Sequence, residues 1–175
     1  MMTNLLFGQL TAIGKRFAMV LTMLLMLGVT QVWGETYTLG WGSASGTAGT
    51  YSNFTTISGT VNNIVSFSTT KNSSQNDPAH NSNNSELRLY YASNGSGGSI
   101  TLTPATGITI TGFVMTTSTT PTVKYKVGNG SLTTVSKASN ANTYTVSNIT
   151  ATSSNTLIIQ NANTSNTQLR IKTIQ

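Results

Sequence analysis

The segment DPAHNSNNSE, residues 77–86, holds the only histidine of this 175-residue chain and two of its three acidic residues. Five of its side chains are of the types found in nucleophilic triads: Asp77, His80, Ser82, Ser85 and Glu86. A triad needs a base within hydrogen-bond reach of the nucleophile and an orienting acid behind the base, usually on a rigid scaffold. Here all the candidates share one Asn- and Ser-rich stretch that opens with Asp-Pro, a turn signal. We therefore predict a solvated loop without catalytic function.

The chain has few residues that could form another kind of enzyme active site or a metal site. A glycosidase needs two carboxylates held about 5–9 Å apart, and only Glu35, Asp77 and Glu86 could supply them. Because the chain has one histidine and no cysteine, a transition-metal site has almost no ligands. The residue types still allow a structural Ca²⁺ bound by Asp77, asparagine side chains and backbone carbonyls. The sequence thus predicts a noncatalytic protein without a required cofactor.

Aromatic residues give the chain a second kind of chemistry, because sugar rings stack on aromatic faces. Trp41, Tyr51 and Phe54 lie in the first Gly- and Ser-rich segment. Strand alternation predicts that Tyr90 points outward on the same face as Arg88. The candidate ligand-binding residues are therefore Trp41, Tyr51, Arg88 and Tyr90. The alternative is that Trp41 and Phe54 close the end of a hydrophobic core and that Tyr90 is an ordinary exposed tyrosine.

The N-terminal residues 1–34 have the pattern of a secretory signal peptide. Lys15 and Arg16 precede a short apolar run, residues 17–29. Small residues follow this run, and we place cleavage between Gly34 and Glu35. Since a spanning helix needs about 20 apolar residues, a retained membrane anchor is the minor alternative. The sequence predicts export by the Sec pathway to the medium or the cell surface, and it leaves open which start codon is used.

The net charge of residues 35–175, the predicted mature protein, limits the kinds of molecule that the protein could bind. Removing Lys15 and Arg16 with the leader leaves seven basic residues against three acidic ones, a net charge of +4. This mild excess suits an anionic polysaccharide or a bacterial surface, whereas nucleic-acid binders carry a stronger and clustered surplus. Five basic residues would form one stripe if their strands were neighbours: Arg88, Lys124, Lys126, Arg170 and Lys172. We favour solubility as the role of these residues, because edge lysines prevent strand-to-strand aggregation.

Residues 35–175 are predicted to form a single all-β domain. Only 7% of the chain is charged, and Thr is abundant beside Val, Ile and Tyr, a composition that suits pleated sheets. The alternating runs are TYTL, NIVSFST, ELRLYYA, SITLTP, GITITGFVMTTS, TVKYKV, ANTYTVSNI, NTLIIQ and TQLRIKTI. About nine or ten strands at this spacing indicate an antiparallel β-sandwich of jelly-roll type. The polar segments 41–54 and 70–85 are predicted to be loops, and whether the second is functional stays open.

Alternation within the runs predicts which side chains face the core. The predicted inward residues include Leu87, Leu89, Tyr91, Val123, Tyr125, Val127, Leu169 and Ile171. In GITITGFVM the inward parity changes from Ile108 and Ile110 to Phe113 and Met115. Gly112 lies at the change and predicts a β-bulge or a strand crossing between sheets.

The order of these strands resembles a family of small β-sandwich modules. SELRLYYASNGSGGSITLTP, GITITGFVMTTS and a late TQLRIKTI are similar to jelly-roll-like modules in exported proteins of gut-type Gram-negative bacteria. The likeness covers residues 80 to 175 and consists of strand patterns, so it implies no catalytic residue. It implies a secreted or surface sandwich that is often one part of a larger protein. By the same comparison, the last strand is expected to be truncated.

These observations predict an exported, noncatalytic binding or adhesion module whose ligand is most plausibly a glycan. The alternative is a purely structural or spacer module of a larger surface protein. The two differ in one structural respect. A binding module should place Trp41 with outward tyrosine or arginine side chains in a concave site, whereas a spacer should bury Trp41 and have no such cluster.

Overall fold

The structure is a computed structural model, and it describes residues 34–41, 52–53, 57–61, 63–81, 85–137 and 141–175. The chain divides into two units between Glu35 and Thr36, and the fold below is that of the second unit. The predicted signal peptide lies outside the described residues except for Gly34, and so do Tyr51 and Phe54.

The described residues form strands and turns without a helix, which confirms the all-β prediction. The strands are β1 (Ser52–Asn53), β2 (Ser58–Val61), β3 (Val65–Thr70), β4 (Ala79–Asn81), β5 (Glu86–Leu89), β6 (Ser99–Pro104), β7 (Ile110–Thr117), β8 (Val123–Val127), β9 (Thr133–Thr134), β10 (Thr143–Ala151), β11 (Leu157–Asn161) and β12 (Leu169–Ile174). They build two antiparallel sheets. Sheet A has the order β1-β4-β5-β12-β7-β10, and sheet B has the order β2-β3-β6-β11-β8-β9.

One hydrophobic core joins the inner faces of both sheets, as in a β-sandwich. Sheet A contributes fully buried side chains from β5 and β12, namely Leu87, Leu89, Leu169 and Ile171. Sheet B contributes Ile100 and Leu102 of β6 and Leu157 and Ile159 of β11, which are cross-strand partners. Since cross-strand partners project from the same face, these registers align the apolar side chains of each sheet toward the other.

Eight of the nine predicted runs contain a strand, and the first, TYTL, contributes only a bridge between Leu39 and Ile174. The inward parity predicted for β8 and β12 is confirmed. In β8, Val123 is buried and Tyr125 and Val127 pack against the core. In β12, Leu169 and Ile171 are buried while Lys172 is exposed. The strands that the sequence missed are β1, β2, β4 and β9, each four residues or shorter. Such lengths are too short to show an alternating pattern.

The irregularity predicted at Gly112 is present, but the extra residues belong to the partner strand. Ser147 pairs with Gly112 and Ala151 with Ile110, so the register shifts on β10 between these two pairs. A Cβ atom on Gly112 would lie 2.7 Å from the carbonyl oxygen of Val146, which explains the glycine by close backbone approach. Predicted burial of Ile108 is wrong: β7 begins only at Ile110, and the side chain is 38% exposed.

Candidate functional site

Trp41, the first residue of the predicted binding set, lies in the hydrophobic core. Its side chain is 1% exposed. The indole Nε1 donates a hydrogen bond to the carbonyl oxygen of Ile171 at 2.8 Å. Its ring meets Phe67 edge to face, with the centroids 5.7 Å apart. Because Ile171 belongs to sheet A and Phe67 to sheet B, Trp41 bridges the two layers and presents no face to a ligand.

Tyr90 is also buried, with 8% of its surface exposed, so it does not offer the exposed ring that the sequence predicts. Strand β5 ends at Leu89, and Tyr90 is the first residue beyond it. Its carbonyl oxygen accepts a hydrogen bond from Gly98 at 2.8 Å, where the chain returns toward β6. Tyr91, predicted to face inward, is instead partly exposed. Alternation fails here because it holds only while the backbone remains extended in the ladder.

Arg88 lies on the outer face of sheet A, and its side chain is 13% exposed. It pairs with Arg170 across β5 and β12, and both alternate with the core residues of their strands. The guanidinium of Arg88 lies 3.4 Å from the carboxylate of Glu86, and the Nε of Arg170 donates to Gln168 at 2.8 Å. Like charges directly opposite each other destabilise a sheet. Glu86 offsets part of this repulsion, since its side chain is only 4% exposed.

The five basic side chains do not form one stripe, because their strands are not all neighbours. Arg88, Arg170 and Lys172 belong to sheet A, whereas Lys124 and Lys126 belong to β8 of sheet B. Lys126 is aligned with Ile158, and Lys124 with Gln160, on the outer face of sheet B. The rest of that face carries serine and threonine pairs: Ser58 with Ser68, Thr60 with Ser66, Ser68 with Thr101, and Ser66 with Thr103. The basic side chains of the two sheets therefore lie on opposite faces of the sandwich.

The polar segment 77–86 is not the fully solvated loop that the sequence predicted. His80 lies in β4 opposite Leu87 of β5 and is 5% exposed. Since Leu87 is a core residue, His80 faces inward, and burial lowers its pKa below the usual value of 6.5. Glu86 alternates with Leu87 and so projects from the opposite face of the sheet. The histidine and this carboxylate therefore do not form an acid-base pair.

Asp77 does not complete a catalytic group either. It precedes β4, and its carboxylate lies 3.6 Å from the ammonium of Lys71 in an exposed ion pair. Glu86 pairs with Asn81, at the far end of β4. The two carboxylates thus flank opposite ends of one short strand. Ser82 lies outside the described residues, and among those described no three His, Cys, Asp or Glu side chains are grouped so that they could hold a metal ion.

Asn161, which ends β11, is one of several buried polar residues that the sequence did not predict. Its side chain donates from Nδ2 to the carbonyl oxygens of Leu89 at 3.0 Å and Thr167 at 2.9 Å. Its Oδ1 accepts from the backbone N–H and the side-chain amide of Asn163, at 3.0 and 2.7 Å. These bonds tie sheet B to β5 of sheet A and leave the amide fully satisfied. The available sequence signal is an asparagine at the end of the apolar run LIIQN.

The part of the chain that the structure describes has no helix long and apolar enough to cross a membrane. No protein-family model matches this chain, and no curated protein or solved structure matches it either.

Proposed function

We propose that this chain is an exported, noncatalytic β-sandwich module whose main role is structural, as a spacer or scaffold domain of a surface protein. The observation that carries the proposal is the burial of Trp41 between the two sheets. A buried Trp41 is expected of a spacer, whereas a binding module would expose this ring in a concave site. The proposal includes the jelly-roll topology. From β6 to β12 successive strands alternate between sheets B and A, except for the β8–β9 pair within sheet B, and this supports the topology.

The placement of the other aromatic residues supports the same role. Phe67, Tyr90, Phe113 and Tyr144 are buried. The hydroxyl of Tyr144 donates to a backbone carbonyl at 2.6 Å, inside the fold. The partly exposed aromatic residues among those described are Tyr37, Tyr91 and Tyr125. Since sugar-binding sites use exposed rings as stacking platforms, burial of the rings favours cohesion over ligand binding.

The test is binding of the purified protein to a panel of neutral and acidic polysaccharides. Affinity electrophoresis and titration calorimetry would measure binding, and near-UV circular dichroism would confirm that the sample is folded. The structural role predicts no saturable binding to any neutral polysaccharide. Saturable binding to a neutral polysaccharide would overturn it.

One observation favours a second candidate, recognition of an acidic glycan. Arg88 and Arg170 face the same side as cross-strand partners, and Lys172 lies two residues further along β12 with its side chain exposed. An arginine guanidinium suits a carboxylate or sulfate, which it binds with paired N–H donors. An acidic ligand would also relieve the repulsion between the two cations.

The same panel separates the two candidates when Arg170→Gln is compared with Lys126→Gln. Each variant removes one positive charge, but Lys126 lies on the outer face of sheet B. Acidic-glycan recognition predicts salt-sensitive binding to polyuronates or sulfated polysaccharides, weakened about tenfold or more in Arg170→Gln and unchanged in Lys126→Gln. Equal weakening in both variants would show general charge attraction. Absence of binding to every acidic polysaccharide would eliminate this second candidate.

A further inference from the structure

Strand β10, residues Thr143–Ala151, forms one edge of sheet A and has β7 as its neighbour. The ladder with β7 is regular from Thr143 to Ser147 and then shifts register. Asn148 has a positive φ of 59°, and residues 148–150 lie outside the ladder. The regular edge therefore extends from Thr143 to Ser147.

The hydrogen bonds of β7 show which backbone groups of β10 point away from the sheet. The N–H of Thr117 donates to the carbonyl oxygen of Asn142 at 2.8 Å. By antiparallel alternation, Tyr144 and Val146 continue these bonds to β7. The N–H and C=O groups of Thr143, Thr145 and Ser147 then point away from the sheet. The side chains of these three residues are exposed.

The chemistry of this edge differs from that of edges that resist pairing. Proteins usually protect edge strands with short length, lysine, proline or a β-bulge. The irregularity of β10 lies beyond Ser147, so the edge from Thr143 to Ser147 stays regular. The sequence TYTVSNITA of β10 contains neither a charged residue nor proline. Among the described strands, the other sheet edges are β1 and β9 with two residues each and β2 with four. The edge of β10 is thus the longest of those described.

We propose that β10 pairs with β10 of a second copy of this chain, antiparallel about a two-fold axis through Thr145. In this register Thr145 lies opposite Thr145, and Thr143 lies opposite Ser147. Each pair exchanges backbone hydrogen bonds through the outward N–H and C=O groups. The side chains then meet as threonine-threonine and threonine-serine pairs, which form cross-strand hydroxyl contacts. No charged side chain of β10 opposes another, so the edge is complementary to itself.

The pairing would join two copies of sheet A into one continuous sheet across the interface. Such an interface is isologous, because each copy contributes the same strand. This inference goes beyond the proposed structural role and does not depend on it. Self-association and polysaccharide binding are measured separately, so the failure of one proposal leaves the other standing.

The test is sedimentation velocity of the full chain over a broad range of concentration, with three variants at one position. Thr145→Pro removes the outward N–H without removing a bond to β7, a position where an edge strand tolerates proline. Thr145→Lys places a cation opposite a cation across the two-fold axis. Thr145→Val retains the backbone donor and the β propensity and serves as the matched control.

The parent and Thr145→Val are expected to form a dimer whose fraction rises with concentration. Thr145→Pro and Thr145→Lys are expected to raise the dimer Kd by about tenfold or more, because each copy loses a donor or gains a repelling charge. Near-UV circular dichroism verifies the fold of each variant, and Thr145→Lys carries the test if Thr145→Pro does not fold. A parent that stays monomeric at all concentrations would overturn the proposal. Dimers of unchanged Kd in the folded proline and lysine variants would do so as well.

Discussion

His80 has polar neighbours in the sequence but is buried in the fold. It stands among aspartate, proline, asparagine and serine residues in the chain, yet in the fold it lies on the inner face of β4 opposite Leu87. Burial removes the imidazole from water and disfavours its charged form, which lowers the pKa. A buried histidine of lowered pKa makes the stability of the fold depend on pH.

The sign of that dependence follows from proton uptake. The unfolded chain binds a proton at His80 near pH 6.5, whereas the folded chain binds it only at lower pH. The free energy of unfolding should therefore fall as the pH decreases from about 6.5, by at most about 1.4 kcal/mol per pH unit for one proton.

Urea denaturation between about pH 7.5 and 5 would measure the effect, in a range above the ordinary pKa of the carboxylates. In His80→Gln the free energy of unfolding should change less with pH over this range, because the chain has one histidine. Identical pH profiles for the parent and His80→Gln would contradict the placement of this side chain on the inner face.

At the scale of elements, the contact between β7 and β10 depends on the absence of a side chain at Gly112. The Cβ atom of an alanine there would meet the carbonyl oxygen of Val146 at 2.7 Å and the Cα of Ser147 at 3.3 Å. Backbone atoms cannot move aside as a flexible side chain can. The two strands would have to separate at the point where β10 leaves its regular register.

Gly112→Ala should therefore lower the free energy of unfolding by about 1–3 kcal/mol, the usual cost of overpacking. Gly40→Ala is the control, because a Cβ at Gly40 would meet no atom within 4 Å. Chemical denaturation of both variants would measure the difference. Equal stability of the two variants would show that β10 moves aside without cost.

At the scale of the whole molecule, Trp41 and Asn161 link the two sheets across the core, Trp41 by a hydrogen bond and a ring contact and Asn161 by a hydrogen bond. Trp41 donates to the carbonyl of Ile171 in β12 while its ring contacts Phe67 of β3. Asn161 of β11 donates to the carbonyl of Leu89 in β5. Both side chains are almost completely buried. A sandwich without cysteine has no disulfide to hold its layers together, so packing and buried hydrogen bonds do so.

Trp41→Ala should consequently lower the stability of the fold and should not change the binding of a ligand. Loss of the ring leaves a cavity and an unsatisfied carbonyl oxygen, so the free energy of unfolding should fall by about 3–5 kcal/mol. Leu132→Ala is the control, because Leu132 is 43% exposed, and its change should stay within about 0.5 kcal/mol. Far-UV circular dichroism during denaturation would follow both. A Trp41→Ala protein as stable as Leu132→Ala would refute the bridging role.

The sequence by itself determined the secondary structure class, the position of most strands, the inward parity of β8 and β12, and the irregularity near Gly112. These properties are local, because residue type and period-2 alternation act within a few residues along the chain. The tertiary structure decided the pairing of β4 with β5, the burial of His80, Trp41 and Tyr90, and the opposition of Arg88 to Arg170. These depend on strand order and register, which join residues such as Trp41 and Ile171 that lie 130 positions apart. The residue pattern of one strand does not show which strand will pair with it. Only the folded structure therefore shows which of the reactive or charged side chains come together.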